Sequence, residues 1–150
     1  MKFADSLYFH PAPFNGLYAL FNGETLDPIS HNHTTSRRFF RFSHAGKDYF
    51  LKAETDFYNG SQCLQEGRLW DKIKPQHRKY FVPVIEYGVT NEVYWSLFPF
   101  IELTKAPFSK EAANIVAKLT HTYGISDVNG WFNDQWYIVN GKPLIVDYGL

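Results

Sequence analysis

The segment covering residues 125–150 constrains the fold of this chain more than any other part of it. Two short apolar or aromatic runs, residues 136–139 and 144–146, are separated by the dipeptide Asn140-Gly141. Asn and Gly tolerate the positive φ angles that a two-residue β-hairpin turn requires. The segment therefore predicts a β-hairpin near the end of the chain.

Polar side chains flank both strands of this predicted hairpin. Asp127 and Asn133 precede the first strand, and Asp147 follows the second. Two carboxylates and an amide would therefore meet at the open ends of adjacent strands. Their oxygen atoms are ligands suited to Mg²⁺.

Length, charge and cysteine content limit the class of protein. A chain of 150 residues is expected to form one domain with a substantial core. Its zero formal net charge and the absence of a long like-charge block argue against a general nucleic-acid or anionic-membrane binder. A single cysteine, no apolar leader and no membrane-length apolar run lead us to expect a cytoplasmic protein.

We expect three regions along the chain. Residues 1–35 contain several prolines and glycines between short aromatic pieces, which predicts a wrapped extension with one strand near residues 17–21. Residues 36–102 and 103–150 carry stronger helix and strand patterns. The overall fold class predicted is α+β.

A strand–turn–strand hairpin is predicted over residues 38–42 and 48–53. Lys52 lies on its second strand, where it could simply be an exposed strand lysine. Alternation predicts two faces for this strand, with Tyr49, Leu51 and Ala53 on one and Phe50, Lys52 and Glu54 on the other.

A helix is predicted over residues 61–74, ended by Pro75. Glu66 shares one face of this helix with Leu69, Trp70 and Ile73. A carboxylate on an apolar face is costly to bury without a partner. Lys52 on the preceding strand is the candidate partner, and the alternative is that Glu66 lies at the edge of the face and stays solvated.

The remaining elements follow in order. Strands are predicted over residues 81–87 and 93–98. A helix begins at Ser109 as its N-cap and ends at Gly124. Its apolar stripe comprises Ala112, Ile115, Val116, Leu119 and Tyr123.

This order of elements resembles the protein-kinase fold. Lys52, in the run YFLKA, resembles the lysine of the kinase V-A-I-K strand, and Glu66 resembles its helix partner. Asp127 with Asn133 resembles the catalytic loop H-R-D-x-x-x-x-N, and Asp147-Tyr148-Gly149 resembles the D-F-G element. The DYGL ending also resembles short kinase-like proteins encoded by tailed phages. This resemblance implies that the cytoplasm in question would be that of the host cell.

The resemblance implies a role for each matching residue. Lys52 would hold the α- and β-phosphates of ATP, positioned by Glu66, and Asp127 would accept the proton of the substrate hydroxyl. Asn133 and Asp147 would hold Mg²⁺. Backbone groups of the connector after the last sheet strand would contact adenine; that connector comprises Pro99, Phe100 and Ile101.

The sequence departs from the kinase pattern at several positions. Residues 30–36 contain no glycine-rich loop, and Ile125 stands where the catalytic-loop histidine is expected. Asn133 is one residue further from Asp127 than in the family, so Asn129 or Asp134 could be the metal ligand instead. The sequence after D-Y-G contains no activation segment, so we expect a truncated C-terminal lobe.

Two functions from different classes fit these residues. The first is a phosphotransferase that uses ATP and Mg²⁺ to modify Ser or Thr hydroxyls. The second is an inactive pseudokinase that binds and inhibits a partner protein. Apolar surface left exposed by the truncated lobe could also support a homodimer. A third interpretation is an unrelated α+β fold with coincidental motifs, and it would hold if Lys52 and Glu66 lay far from Asp147.

Other candidate chemistry is weaker. His31, His33 and His44 lack the carboxylates or cysteines that would complete a metal site, so they are expected to be solvated. Cys63 is expected to be a small core thiol rather than a nucleophile. The four tryptophans are expected to pack in the core or at its rim.

Overall fold

The computed structural model describes residues 2–12, 16–29, 37–55, 61–103, 109–125 and 135–148. Its strands are β1 (Leu7–Ala12), β2 (Gly16–Phe21), β3 (Glu24–Thr25), β4 (Asp27–Ile29), β5 (Arg38–His44), β6 (Lys47–Glu54), β7 (Glu86–Thr90), β8 (Val93–Pro99), β9 (Trp136–Val139) and β10 (Lys142–Ile145). Its α-helices are α1 (Gln62–Lys72) and α2 (Lys110–Tyr123), and short 3-10 helices span Phe3–Asp5 and Pro75–Tyr80.

A five-stranded antiparallel sheet with the order β4-β5-β6-β8-β7 lies at the centre of the fold. The predicted hairpin is its β5–β6 pair, which turns at Ala45 and Gly46, with φ angles of 51° and 77°. Both strands run slightly further than predicted, because His44 pairs directly with Lys47 across this tight turn. The sheet positions Lys52 near the centre of β6, between β5 and β8.

The predicted alternation along β6 is confirmed. Leu51 and Ala53 are fully buried on one face, in a cluster with Phe40, Trp95 and Leu97. Phe50 packs against the other apolar cluster of the described residues, on the opposite face. Lys52 therefore points towards that second face, where α1 and the C-terminal hairpin lie.

The N-terminal region contains more regular structure than expected. The expected strand near residues 17–21 is present as β2, but β1 and β3 join it in a three-stranded sheet, and β4 pairs with β5. Phe3, Phe9 and Phe21 pack in the same cluster as Phe40 of the central sheet. We interpreted the short aromatic pieces of the N-terminal region as largely irregular. They form strands because their apolar side chains pack against the apolar face of the central sheet.

Helix α1 begins where expected and ends earlier. Ser61 is its N-cap, with Oγ accepting a hydrogen bond from the backbone N–H of Leu64 at 3.1 Å. The helix ends at Lys72, and Ile73 has extended backbone angles. The following Pro75–Tyr80 segment forms a 3-10 helix, which the sequence did not predict.

The predicted strand over residues 81–87 is wrong in position. Only the end of this stretch is a strand, β7, which begins at Glu86. Phe81 instead forms an isolated parallel bridge with Ile145, and the backbone N–H of Val82 donates to the Ile145 carbonyl at 2.9 Å. Pro83 has no N–H to donate, which disfavours a continuous ladder here.

The second half of the fold matches its predictions closely. Ser109 caps α2, and Gly124 ends it with a φ of 66°. Val116 and Leu119 of the predicted stripe are buried, together with Trp136 of β9 and Ile145 of β10. The hairpin turns at Asn140 and Gly141, whose φ angles are 50° and 77°.

Other packing expectations are confirmed for the described residues. Cys63 and Trp95 are fully buried, and Trp136 is nearly so.

Neither α1 nor α2, nor any other described helix, combines the length and apolar character needed to cross a membrane.

Substitution of Gly67 tests how closely α1 docks on the sheet. A Cβ atom at Gly67 would overlap the ring of Tyr87, whose hydroxyl is held by Asp71 at 2.6 Å. We expect Gly67→Ala to lower the free energy of unfolding by about 1–3 kcal/mol through overpacking. Urea unfolding measures this change.

The control is Arg68→Ala at the neighbouring exposed helical position, which we expect to change stability by less than about 0.5 kcal/mol. Alanine is worth about 1 kcal/mol more than glycine in a helix where space is free. A Gly67→Ala protein as stable as the wild type or more stable would contradict this packing.

Candidate functional site

Four charged side chains from separate parts of the chain meet on the face of the central sheet that packs against α1. Lys52 comes from β6, Glu66 from α1, Asp147 from the segment after β10, and Arg37 from the residue before β5. Of the four, only Asp147 has a substantially exposed side chain, at 48%. The sheet, the helix and the C-terminal hairpin therefore converge on one cluster of charge.

The ion pair predicted between Lys52 and Glu66 is present. The Lys52 Nζ lies 3.0 Å from Oε1 and 2.9 Å from Oε2 of Glu66, whose side chain is fully buried. The same Nζ donates to the Val146 carbonyl at 3.1 Å and lies 4.6 Å from the centre of the Phe98 ring. These contacts hold the ammonium group at a fixed position in the cluster.

Asp147 lies beside this pair. Its Oδ1 is 3.9 Å from the Lys52 Nζ. Partial burial opposes ionisation of the carboxyl group, but the positive charges of Lys52 and Arg37 outweigh it and hold the pKa of Asp147 below its ordinary value. The structure therefore brings Lys52, Glu66 and Asp147 together, so the separation that would have established an unrelated fold is not observed.

Arg37 is a member of this cluster that the sequence analysis missed. Its Nη1 donates to Oε1 of Glu66 at 2.6 Å, its Nη2 to Oδ1 of Asp147 at 3.1 Å, and its Nε to Oε1 of Gln62 at 2.6 Å. Burial works against the charged form, but Glu66 and Asp147 raise the pKa of Arg37 overall. The guanidinium group is thus a permanent buried cation.

Strand alternation is the signal that could have found Arg37. Phe39 pairs directly with Lys52 across the β5–β6 ladder, so the two side chains share a face. Arg37, two residues before Phe39, continues that face at the start of the strand. The predicted strand began only at residue 38, which left Arg37 outside it.

Glu54 and Ser61 secure the start of α1 and therefore the position of Glu66. One carboxylate oxygen of Glu54, Oε1, accepts hydrogen bonds from the Ser61 hydroxyl and the Cys63 backbone N–H, both at 2.8 Å. Glu54 is only 3% exposed. An acidic group at a helix N-terminus is favourable because of the unpaired N–H groups there.

Cys63 has no features of a nucleophile. It is fully buried, and burial raises the pKa of its thiol well above the ordinary value. The thiolate is the reactive form of cysteine, so this group stays inert at neutral pH.

A cleft of about 620 Å³ lies next to the charged cluster, between the central sheet and the C-terminal hairpin. Lys52 and Asp147 line it, together with the aromatic side chains of Phe39, Phe50 and Phe98. It has an apolar part and a charged end, which suits a ligand with a flat aromatic group and an anionic group.

The connector expected to contact adenine borders the same cleft. Pro99, Phe100 and Ile101 all line it. The backbone N–H of Phe100 already donates to the Asp48 carbonyl at 3.0 Å, however, and the Arg41 guanidinium stacks 3.8 Å from the centre of its ring. A nucleobase would therefore have to use other backbone groups of this connector.

Tyr148 fixes the segment that carries Asp147. It is 1% exposed, its hydroxyl donates to the Val82 carbonyl at 2.7 Å, and its ring packs edge-on against Phe81. Because the next residue in the chain is anchored in the core, the Asp147 backbone has little freedom to move away from Lys52.

The predicted catalytic-loop residues lie outside the described residues. These are Asp127 and Asn133, together with the alternative ligands Asn129 and Asp134. His31 and His33 also lie outside them. Among described residues, no group of three or more His, Cys, Asp or Glu side chains forms a possible metal site. Of the predicted Mg²⁺ ligands, Asp147 alone is described, and a metal ion at its Oδ1 would compete with the Arg37 guanidinium group.

Removal of the Glu66 charge tests the dependence of the fold on this cluster. We expect Glu66→Gln to lower the free energy of unfolding by about 3–5 kcal/mol, because Arg37 and Lys52 would stay buried without their shared carboxylate. Chemical denaturation measures the loss. Glu111→Gln in the exposed first turn of α2 is the control, with an expected loss below about 1 kcal/mol. A Glu66→Gln protein within about 1 kcal/mol of the wild type would refute this dependence.

The pH dependence of stability tests the Asp147 interactions. The pKa of Asp147 is lower in the folded protein than its ordinary value of 3.8, so the unfolded chain takes up the proton first as pH falls. The stabilisation from Asp147 is therefore complete above the ordinary value and lost as pH falls through the folded-state pKa.

We expect the stability difference between wild type and Asp147→Asn to stay constant from pH 7 to about pH 5 and to shrink below about pH 4. Urea unfolding across this pH range measures the difference in stability. Asp5→Asn, at an exposed aspartate, is the control for the effect of low pH on the stability of the whole protein. A difference that grows on acidification would show that the sign is wrong.

Comparisons with known proteins bear on the fold. The sequence matches neither a known protein-family model nor a curated protein. Among solved structures, it is similar to a mutant of the PknI kinase domain from Mycobacterium tuberculosis, with a TM-score of 0.54 and 15% sequence identity. The alignment covers 99% of this chain and 63% of that chain. A likeness at this identity concerns the fold alone, and the fold of this protein is kinase-like.

Proposed function

We propose that this protein binds ATP in the 620 Å³ cleft and acts as a phosphotransferase on Ser or Thr hydroxyls. The observation that carries the proposal is the convergence of Lys52, Glu66 and Asp147 at the charged end of that cleft, in a kinase-like fold. The three residues come from three separate elements, so their meeting is a property of the whole fold.

The cleft has the chemistry that an aromatic phosphate ester requires. The Lys52 ammonium lines it at the charged end, where it would hold phosphate oxygens, and Glu66 would keep the lysine side chain in position. Phe39, Phe50 and Phe98 offer apolar surface for a nucleobase. Ligand clefts in proteins have volumes of about 300–1,000 Å³, a range that includes this one.

The phosphotransfer step needs a residue that orients the attacking hydroxyl. Asp127 is our proposal for this role, because the kinase resemblance assigns it to that position in the chain. The kinase resemblance also assigns Mg²⁺ to Asn133 and Asp147, where the ion would neutralise charge on the phosphates. In this protein a metal ion would have to share Asp147 with Arg37, whose Nη2 is 3.1 Å from Oδ1.

The contact between Arg37 and Asp147 also favours a second candidate function. A carboxylate committed to an internal ion pair suits a pseudokinase that acts as a binding or inhibitory module for a partner protein. In that case the cleft would bind nucleotide for stability or not at all, and a partner or a second copy of the chain would use another surface.

The chain spans 63% of the length of the PknI kinase-domain chain it aligns with. The activity, substrates and partners of a whole kinase are therefore proposals for this protein. The resemblance to phage-encoded kinase-like proteins and the cytoplasmic location likewise stay predictions.

Thermal unfolding with ATP tests the site. A ligand at ten times its Kd stabilises the native state by about 1.4 kcal/mol, which raises Tm by about 3–6 °C for a protein of this size. We expect such a rise in the wild type with ATP and Mg²⁺, and its loss in Lys52→Gln. Lys47→Gln, an exposed lysine at the start of the same strand, is the matched control and should keep the full rise.

A phosphate-transfer assay on Ser- and Thr-containing peptides then separates the two functions. Transfer that disappears in Asp127→Asn, with the ATP-dependent rise in Tm retained, would support the phosphotransferase. Binding without transfer would support the binding module. No rise in Tm at millimolar ATP would refute the nucleotide site.

A further inference from the structure

Resting on the proposed nucleotide site, we propose that Arg37 is an internal cation that replaces a divalent metal ion at Asp147. The cleft would then bind a nucleoside triphosphate without requiring Mg²⁺. Asp147 would have little affinity for a metal ion as long as Arg37 is in place.

The first argument is geometric. The Arg37 Nη2 donates to Oδ1 of Asp147 at 3.1 Å, and the Lys52 Nζ lies 3.9 Å from the same oxygen. A Mg²⁺ ion approaches its oxygen ligands to about 2.0–2.1 Å and demands near-octahedral geometry. An ion at Oδ1 would therefore compete directly with the guanidinium group for this oxygen.

The second argument is that Arg37 is not free to withdraw. Its Nε is held by Gln62 and its Nη1 by Glu66, both at 2.6 Å, and the side chain is 6% exposed. Helix α1 thus holds one side of the guanidinium while the other side meets Asp147. To release Asp147, the side chain would have to give up bonds within a buried site, where unpaired charge is costly.

The third argument is the balance of charge. Two cations, Arg37 and Lys52, face two carboxylates, Glu66 and Asp147, so these four side chains are neutral together without a metal ion. A site with Lys52 alone would carry one excess negative charge, which a bound metal ion would offset. With Arg37 present, an added dication is repelled by a fixed positive charge at close range.

Arg37 does not line the cleft, so it can act on a bound ligand only through its contact with Asp147. It is therefore a positioning residue for Asp147. Arginine suits this role better than lysine. Its planar group bonds to two carboxylates and an amide at once, and it stays charged when buried. Lys52 is left to meet the phosphates.

Binding of Mn²⁺ to the full-length protein without nucleotide tests the proposal directly. Electron paramagnetic resonance distinguishes bound from free Mn²⁺. We expect weak binding to the wild type and an affinity at least about tenfold higher in Arg37→Met, because that variant frees Oδ1 of Asp147 and removes a fixed positive charge that repels the ion at close range. The double variant Arg37→Met/Asp147→Asn should lose this gain, which would assign the ion to Asp147.

Two further variants keep the test decisive. Arg41→Met removes an exposed arginine of β5, the strand that follows Arg37, and should not change Mn²⁺ affinity. If Arg37→Met does not fold, Arg37→Gln replaces it, since its amide can still donate a hydrogen bond to Glu66 but carries no charge that opposes a metal ion. Equal Mn²⁺ affinity in wild type and the Arg37 variant that folds would overturn the proposal.

Titration of ATP in EDTA and in Mg²⁺ provides the second measurement. We expect the wild-type Kd to differ by less than about threefold between the two buffers. The Arg37 variant should lose about tenfold in EDTA and recover in Mg²⁺, because a cation then again offsets the charge of Asp147 beside the phosphates. A wild type that binds ATP only with Mg²⁺ would overturn the proposal. No ATP binding in either buffer would instead refute the nucleotide site, and the Mn²⁺ comparison would still decide the role of Arg37.

Discussion

The fully buried carboxylate of Glu66 is the group on which the rest of the site depends. It accepts hydrogen bonds from both Arg37 and Lys52, so one negative charge on α1 holds two positive charges from the central sheet. A buried charge without partners would cost several kcal/mol of folding free energy, and each of these three side chains supplies partners for the others. The cluster therefore forms only if helix and sheet dock in one arrangement.

That arrangement is secured by contacts that have no part in the proposed chemistry. Glu54 and Ser61 hold the first turn of α1, and Gly67 lets the helix approach the ring of Tyr87. At the other end of the site, Tyr148 anchors the segment that carries Asp147 to the Val82 carbonyl. The three-stranded N-terminal sheet covers the opposite face of the central sheet, where it shares a core with β5, β6 and β8.

The same four charges connect the two functions proposed for the protein. Lys52 at the charged end of an apolar cleft suits a nucleotide, whereas Arg37 on Asp147 makes that site unlike a metal-dependent one. A nucleotide site that does not require a metal ion would account for both observations. A phosphotransferase and a nucleotide-stabilised binding module would then differ in the residues that meet the substrate hydroxyl, rather than in the Lys52 pocket.

Local patterns in the sequence determined the hairpin turns, the start of both α-helices, the end of α2 and the faces of β6. Each of these follows from a φ preference, a capping side chain or a two-residue period, and none needs a distant partner. The Lys52–Glu66 pair could be predicted because a carboxylate on an apolar helical face requires a cation. The tertiary structure alone decided that Arg37 joins this pair, that residues 81–85 bridge to β10 instead of forming a strand, and that the N-terminal pieces build a sheet. In each case the deciding energy comes from burial against residues far away in the chain, which no local pattern records.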